Sequence, residues 1–118
     1  MDMKANLEHD LIKTDWIVNK CQNDQYAQNL YSGLCNNRFF KNDEEWTCSW
    51  RSAGGIVADL RNQRESYLDY YCSGMIDKEG YVPEGVVTDE IRLDLIKLGW
   101  SIKPYEPKLE PGIYTNEW

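Results

Sequence analysis

The sequence predicts a mainly α-helical single domain: a bundle of about four helices with room for a minimal two-stranded β ribbon. The chain has 118 residues, which is the usual size of one domain. Apolar residues recur at helical spacing in four segments. The composition, 42% apolar and 28% charged, is typical of a soluble globular protein. If the ribbon forms, the class becomes α+β.

The first two helices are predicted in the N-terminal third of the chain. Within "ANLEHDLIKTDWIVNK", Leu11 and Val18 lie on one side, and Asn6 is a suitable N-cap. A second helix is expected over "NDQYAQNLYSGLC", residues 23–35, with Asn23 as a capping residue. Because little chain separates these segments, we expect an antiparallel helical hairpin.

The stretch at residues 36–51 is the hardest to interpret. It contains four bulky aromatic residues around an acidic patch, and its polar and apolar residues follow neither regular period for long. We favour a loop that leads into a short helical turn. A helix that begins at Asn42 and a strand over Trp46–Trp50 are the alternatives.

Two further helices are predicted after this stretch. The longer runs from Ala53 to Ser73, with Ser52 as its N-cap and Gly74 at the position where it stops. We expect the first two helices to pack against it, with the glycine pair near its start at a close crossing. The last helix follows the cap residue Thr88 and ends at Gly99.

The ribbon would combine Val86–Val87 with Trp100–Lys103, since both are short apolar or β-branched stretches beside turn residues. Residues 1–103 are then expected to form the globular domain. Prolines recur over residues 104–118, beginning with Pro104, and predict an extended tail outside any regular element.

Charge and hydropathy exclude several classes of protein. The formal net charge is −7 and the sequence pI is near 4.6, so phosphates of nucleic acids are expected to repel the chain. No apolar window is long enough to span a membrane. The start, "MDMKANLEHD", lacks the features of a signal peptide, which predicts that the protein stays in the cytosol where it is made.

The four cysteines do not have the spacing of a metal site. No two form a C-x-x-C pair, and His9 is the single histidine and is distant from them in sequence. We therefore expect no metal and no cofactor. In a reducing cytosol, free and mostly buried thiols are favoured over a disulfide framework.

No catalytic constellation is recognisable in the sequence. Neither G-x-S-x-G nor a phosphate-binding glycine motif occurs, and His9 is the one base of the usual kind. We therefore expect a protein that is not an enzyme. One anion-binding alternative remains, because a helix N-terminus with glycines can dock a phosphate or carboxylate. Its residues would be Arg51, Ser52, Gly54 and Gly55.

A protein-binding surface is the favoured kind of site. Aromatic residues beside acidic ones suit contact with a basic protein surface, since aromatic side chains dominate binding energy and carboxylates complement the partner's charge. The candidate residues are Asp43, Glu44, Glu45, Trp46 and Trp50.

The sequence also resembles segments of a family of small uncharacterised proteins that tailed bacteriophages and prophages carry. The similar stretches are "YAQNLYSGLCNNRF", "WTCSWRSAGGIVADLR", "YLDYYCSGM" and "EGVVTDEIRLDLIKLGW", and the resemblance extends over residues 7–102. It implies a protein made in the cytoplasm of an infected or lysogenic bacterium. By analogy with other small acidic phage proteins, the expected function is non-enzymatic: binding a host or phage protein, for example to inhibit a defence enzyme that handles nucleic acids. The alternative is a small-ligand, nucleotide or anion-binding module at residues 51–55.

Overall fold

The protein, described by a computed structural model over residues 11–72 and 85–104, is an α+β domain. Helices predominate, as expected, but the strands form a three-stranded antiparallel sheet in place of the predicted minimal ribbon. Within the described residues the elements are, in chain order, α1 (Asp15–Cys21), α2 (Asp24–Cys35), β1 (Asn37–Lys41), β2 (Glu44–Trp46), α3 (Trp50–Arg61), α4 (Leu68–Tyr71), α5 (Asp89–Lys97) and β3 (Ser101–Pro104).

The first helix is shorter than predicted at its N-terminal end. It begins at Asp15, because Thr14 has extended backbone and its hydroxyl accepts a hydrogen bond from the Ile17 amide. Leu11 pairs with Tyr67 in an isolated antiparallel bridge and so lies outside the helix, contrary to the prediction. The predicted cap Asn6 lies outside the described residues.

Helices α2 and α5 are confirmed close to their predicted bounds. The Asn23 side chain caps α2 by accepting from the Tyr26 amide at 2.9 Å. Thr88 caps α5 in the same way through Ile91, and Gly99 follows the helix with φ 109°, a left-handed conformation that glycine adopts without steric cost.

The predicted loop over residues 36–51 is wrong: most of it is a β-hairpin. Strands β1 and β2 pair antiparallel, with Phe39 opposite Trp46 and Lys41 opposite Glu44. The two residues between them have positive φ, 54° at Asn42 and 68° at Asp43. Both values are those of the two-residue turn whose twist matches that of paired strands, and asparagine and aspartate tolerate this conformation best after glycine.

The predicted helix over residues 53–73 is also wrong, because two helices and a connection occupy its place. Helix α3 begins three residues earlier, at Trp50, with Ser49 as its cap in place of Ser52. It ends at Arg61. The Arg64 amide then donates to the Asp59 carbonyl, and the Gln63 amide donates to the Leu60 carbonyl. Gln63 has φ 64°. This is a Schellman ending with glutamine at the position that glycine usually occupies.

Strand β3 is the C-terminal half of the predicted ribbon, but its partner is different. It pairs antiparallel with β1, so that the sheet order is β2-β1-β3, and Phe39 lies opposite Ile102. Val86 and Val87 belong to no strand. Pro104 is the last residue of β3 and pairs with Asn37, so the first proline of the predicted tail lies in a regular element. The remainder of that tail, residues 105–118, lies outside the described residues.

The core lies between the helices and one face of the sheet. Helices α1 and α2 both pack against α3, as predicted, and Trp100 and Phe39 are the largest fully buried side chains among the described residues. The close approach of two helices occurs at Gly33 of α2. A Cβ atom at this position would overlap the Cγ2 atom of Ile91 in α5 and lie 3.3 Å from Leu95 Cδ1. The predicted close crossing at Gly54 and Gly55 with the first two helices is wrong, because Gly54 borders open space and the close neighbour of Gly55 is the Tyr71 side chain of α4.

Candidate functional site

The predicted partner-binding segment begins at the tip of the β1–β2 hairpin. Asp43 lies in the two-residue turn and Glu44 opens β2, and both are exposed. Neither carboxylate takes part in an ion pair within the described part of the chain. The tight turn fixes the direction of the strands, so the tip presents two adjacent negative charges on a rigid support.

The third acidic residue of the segment is already paired. Glu45 accepts hydrogen bonds from Arg38 Nε at 2.7 Å and from Arg38 Nη2 at 3.2 Å across the strand pair. Its hydrogen bond to Arg38 holds the pKa of the Glu45 carboxyl below its usual value. A partner would have to displace this guanidinium, so Glu45 is a supporting residue of the hairpin.

The two tryptophans of the segment have different surroundings. Trp46 is half-buried on the inner face of the sheet, where its ring meets Trp100 edge-on at 6.0 Å between centroids. Trp50 begins α3 and is 36% exposed, and the Arg51 guanidinium lies 5.2 Å from its ring centroid. Of the two, Trp50 is the one whose surface a partner can cover without disturbing the core.

The structure does not place most of the backbone amides of the anion-binding alternative where an anion could reach them. The Ser52 amide already donates to the cap residue Ser49, at 3.1 Å. Gly54 and Gly55 lie beyond the first turn of α3, where amide groups bond carbonyls four residues earlier in the helix. Gly54 borders open space, and a Cβ atom at Gly55 would lie 2.9 Å from a ring carbon of Tyr71. Arg51 remains exposed at the start of the helix.

Two buried carboxylates escaped the sequence analysis. Asp94 of α5 accepts from Tyr26 at 2.6 Å and from Lys20 at 2.8 Å, which joins α5 to α2 and α1. Burial, reinforced by the hydrogen bond to Asp94, raises the pKa of Tyr26. Acidic residues at helical spacing beside apolar ones were the available signal, but the same pattern occurs at any solvated helix edge.

The second buried carboxylate, Asp59, ties α4 to α3. It accepts hydrogen bonds from the Tyr71 hydroxyl and from Arg64 Nη2, the latter at 2.6 Å. The hydrogen bond to Asp59 raises the pKa of Tyr71 to about 12. Both clusters join a carboxylate to hydrogen-bond donors from other segments of the chain, an arrangement that fastens helices together.

The expectation of four free thiols is wrong for two of them. Cys48 and Cys72 form a disulfide that links the connection before α3 to the end of α4. Cys21 is a buried free thiol, and burial raises its pKa to about 11. Within residues 11–72 and 85–104, no cluster of histidine, cysteine, aspartate and glutamate could hold a metal ion. His9 lies outside these ranges.

The exposed basic and acidic side chains differ in how many have a partner within the protein. Most described cations are engaged by carboxylates or lie over aromatic rings, namely Lys20, Arg38, Lys41, Arg51, Arg61, Arg64, Lys97 and Lys103. In contrast, Asp15, Asp43, Glu44 and Asp89 are exposed and have no ion pair with any described residue. These four carboxylates are therefore available to an external partner without first breaking an ion pair to a described residue.

Comparison with known proteins places no further constraint on this site. No family model, no curated protein and no solved structure matches the chain. Among the described residues, no helix has both the length and the apolar character needed to cross a bilayer.

Proposed function

We propose that the protein is a non-enzymatic accessory protein of a phage or prophage that binds a protein with a basic surface. The contact surface is the acidic hairpin tip, formed by Asp43 and Glu44, together with Trp50 at the start of α3. We call these three residues the tip surface. A basic partner of the expected kind is an enzyme that handles nucleic acid, because its substrate cleft is positively charged.

The observation that carries the proposal is the unpaired state of the exposed carboxylates while nearby cations are engaged. Exposed carboxylates without partners raise the rate of encounter with a basic surface and determine its orientation more than they raise affinity. They also repel nucleic acid, so the proposal concerns the enzyme and not its substrate.

Trp50 supplies what the carboxylates lack, which is apolar area that a partner can bury. Binding energy in protein interfaces concentrates in a few residues, and tryptophan is enriched among them. Trp50 lies four residues beyond the end of β2, so the same short stretch of chain carries the charges and the aromatic anchor.

The test is affinity capture from bacterial lysate with the full-length protein and matched variants. Asp43→Asn/Glu44→Gln removes both charges from the tip, and Asp15→Asn/Asp89→Asn removes the same charge from the starts of α1 and α5. We expect a protein that wild type and control retain at low ionic strength, that high ionic strength releases, and that the tip variant loses. The Trp50→Ala variant should weaken binding roughly thirtyfold, as for a central interface residue.

The captured protein must then be purified and assayed. If it is a nuclease or another enzyme that acts on nucleic acid, wild-type protein should inhibit it and the tip variant should inhibit it much less. If every captured protein responds equally to the tip variant and to the charge-matched control, the tip surface is not the binding site and the proposal fails.

A further inference from the structure

The Cys48–Cys72 disulfide is placed where a small element is attached to the domain. Cys72 is the residue that ends α4, and Cys48 lies two residues before α3. Both are buried, at 1% and 2% exposure. The bond therefore joins α4, a helix of four residues, to the rigid junction between the sheet and α3.

Helix α4 packs on α3 through a small number of other contacts. Leu68 is buried, and the Tyr71 ring lies against the backbone of Gly55, where a side chain would collide with it. The Tyr71 hydroxyl donates to Asp59. Helix α3, in contrast, is capped by Ser49 and buries a full apolar face in the core. If one of the two helices moves, we expect it to be α4, because its movement would break fewer stabilising contacts than movement of α3.

We propose that this disulfide is a redox latch that holds α4 against α3. Reduction by a dithiol proceeds through a mixed disulfide: the reductant supplies two electrons and two protons, Cys48 and Cys72 become thiols, and the reductant becomes a disulfide. Two sulfur atoms that are no longer bonded must move apart, and because both cysteines are buried, the residues packed around them must shift as they do so. Helix α4 therefore moves away, and the remaining elements keep their packing.

The burial of both sulfurs dictates how reduction occurs. A reductant cannot reach them in the closed state, so the rate of reduction follows the fraction of molecules in which α4 is open. The latch is independent of the proposed binding function, since it involves only segments of this chain and its test needs no partner.

The first measurement is the rate of reduction by dithiothreitol under native conditions, followed by alkylation and mass analysis of the peptides that contain Cys48 and Cys72. The variant Tyr71→Phe removes one hydrogen bond that closes α4, and should accelerate reduction about fivefold. The control is Thr88→Ala, which removes the cap of α5 and lowers global stability by a similar amount without touching α4. It should leave the rate unchanged.

The two variants distinguish local opening from global unfolding. Equal acceleration by both variants means that the sulfurs are reached through global unfolding, and no acceleration by Tyr71→Phe means that α4 does not gate them. Either result overturns the latch. The second measurement is amide hydrogen exchange of the reduced protein. We expect residues 66–72 to lose protection while α2 and α5 retain theirs; unchanged protection at 66–72, or loss of protection throughout, contradicts the proposal.

Discussion

Substitution of glycine by alanine should have opposite effects on stability at Gly33 and at Gly54, because a close helix contact surrounds the first and open space borders the second. In Gly33→Ala, the new methyl group would overlap Ile91 Cγ2. This atom is attached directly to the Ile91 Cβ, and the χ1 angle of a β-branched residue in a helix has one strongly preferred value, so relief requires an unfavourable rotamer or a shift of α5. Overpacking of this kind costs up to about 3 kcal/mol, and the better helix propensity of alanine returns about 1 kcal/mol. We expect a net loss of about 2 kcal/mol from these two terms.

The same substitution at Gly54 should stabilise the protein. Nothing lies within 4 Å of the position that a Cβ atom would take, so only the gain in helix propensity remains, about 1 kcal/mol. The sequence alone suggested the reverse, because a glycine pair early in a helix indicates a close crossing. Both variants replace glycine by alanine inside a helix, so a difference between their effects on stability reports the packing around each position.

Urea denaturation measures both variants against wild type. Thermal unfolding should show a fall of about 10 °C for Gly33→Ala and a rise of about 5 °C for Gly54→Ala. The double variant Gly33→Ala/Ile91→Leu should recover part of the loss, since leucine has no methyl group on Cβ. If Gly33→Ala is neutral, or Gly54→Ala is destabilising, the placement of α2 against α5 or the open space beside α3 is incorrect.

Three further predictions concern other elements. The substitution Gln63→Gly should raise the free energy of unfolding by about 1 kcal/mol, because glycine adopts the left-handed conformation without the cost that glutamine incurs there; urea denaturation measures it, with Asn62→Gly as a control at a position of negative φ. The pKa of Tyr71, about 12 in the folded protein, lies above the value of about 10 for an unfolded tyrosine. Its contribution to stability is therefore complete below pH 10 and is lost as the pH rises towards 12, so wild type should lose more stability over that interval than Tyr71→Phe, and equal losses would contradict the Asp59 hydrogen bond. With its pKa raised to about 11, the buried Cys21 thiol should resist iodoacetamide at pH 8 until the protein unfolds, and rapid native labelling would refute its burial.

The sequence predicted the helices that have conventional boundaries and missed those that do not. Helices α2 and α5 are bounded by capping side chains, and Gly99 marks the end of α5, so local signals and tertiary structure agree. Helix α3 stops at a left-handed Gln63, which no residue-type rule would select. The apolar spacing continues past this point because α4 packs on the same core, and so the pattern suggested one long helix.

The hairpin was missed for a related reason. Its strands have five and three residues, too short for alternation to be distinguished from chance, and its turn consists of Asn42 and Asp43 without the glycine that usually marks such a turn. The pairing of β3 with β1 is a long-range contact that the local sequence does not encode. The difference between a loop and a hairpin matters for the candidate site, since the hairpin separates exposed Glu44 from paired Glu45.

The disulfide was missed because the N-terminal sequence suggested a reducing cytosol, and the cysteines were then expected to be free thiols. Pairing depends on the distance between residues 24 positions apart, which only the fold determines; the two Cα atoms lie 4.7 Å apart. Closing a loop of this length removes freedom from the unfolded chain and stabilises the fold by about 3 kcal/mol. A contribution of that size is a large part of the stability of a domain of this size.

The proposed binding requires more than unpaired charge. Asp43 and Glu44 have no ion pair with a described residue, although Lys41 lies opposite Glu44 in the strand register. Other cations are held by carboxylates: Lys20 bonds both Asp94 and Glu90, and these two hydrogen bonds raise its pKa. Exposed charges alone contribute little affinity. Tight binding must come from apolar area buried beside them, so the proposed function depends on Trp50 more than on the carboxylates that first drew attention to the segment.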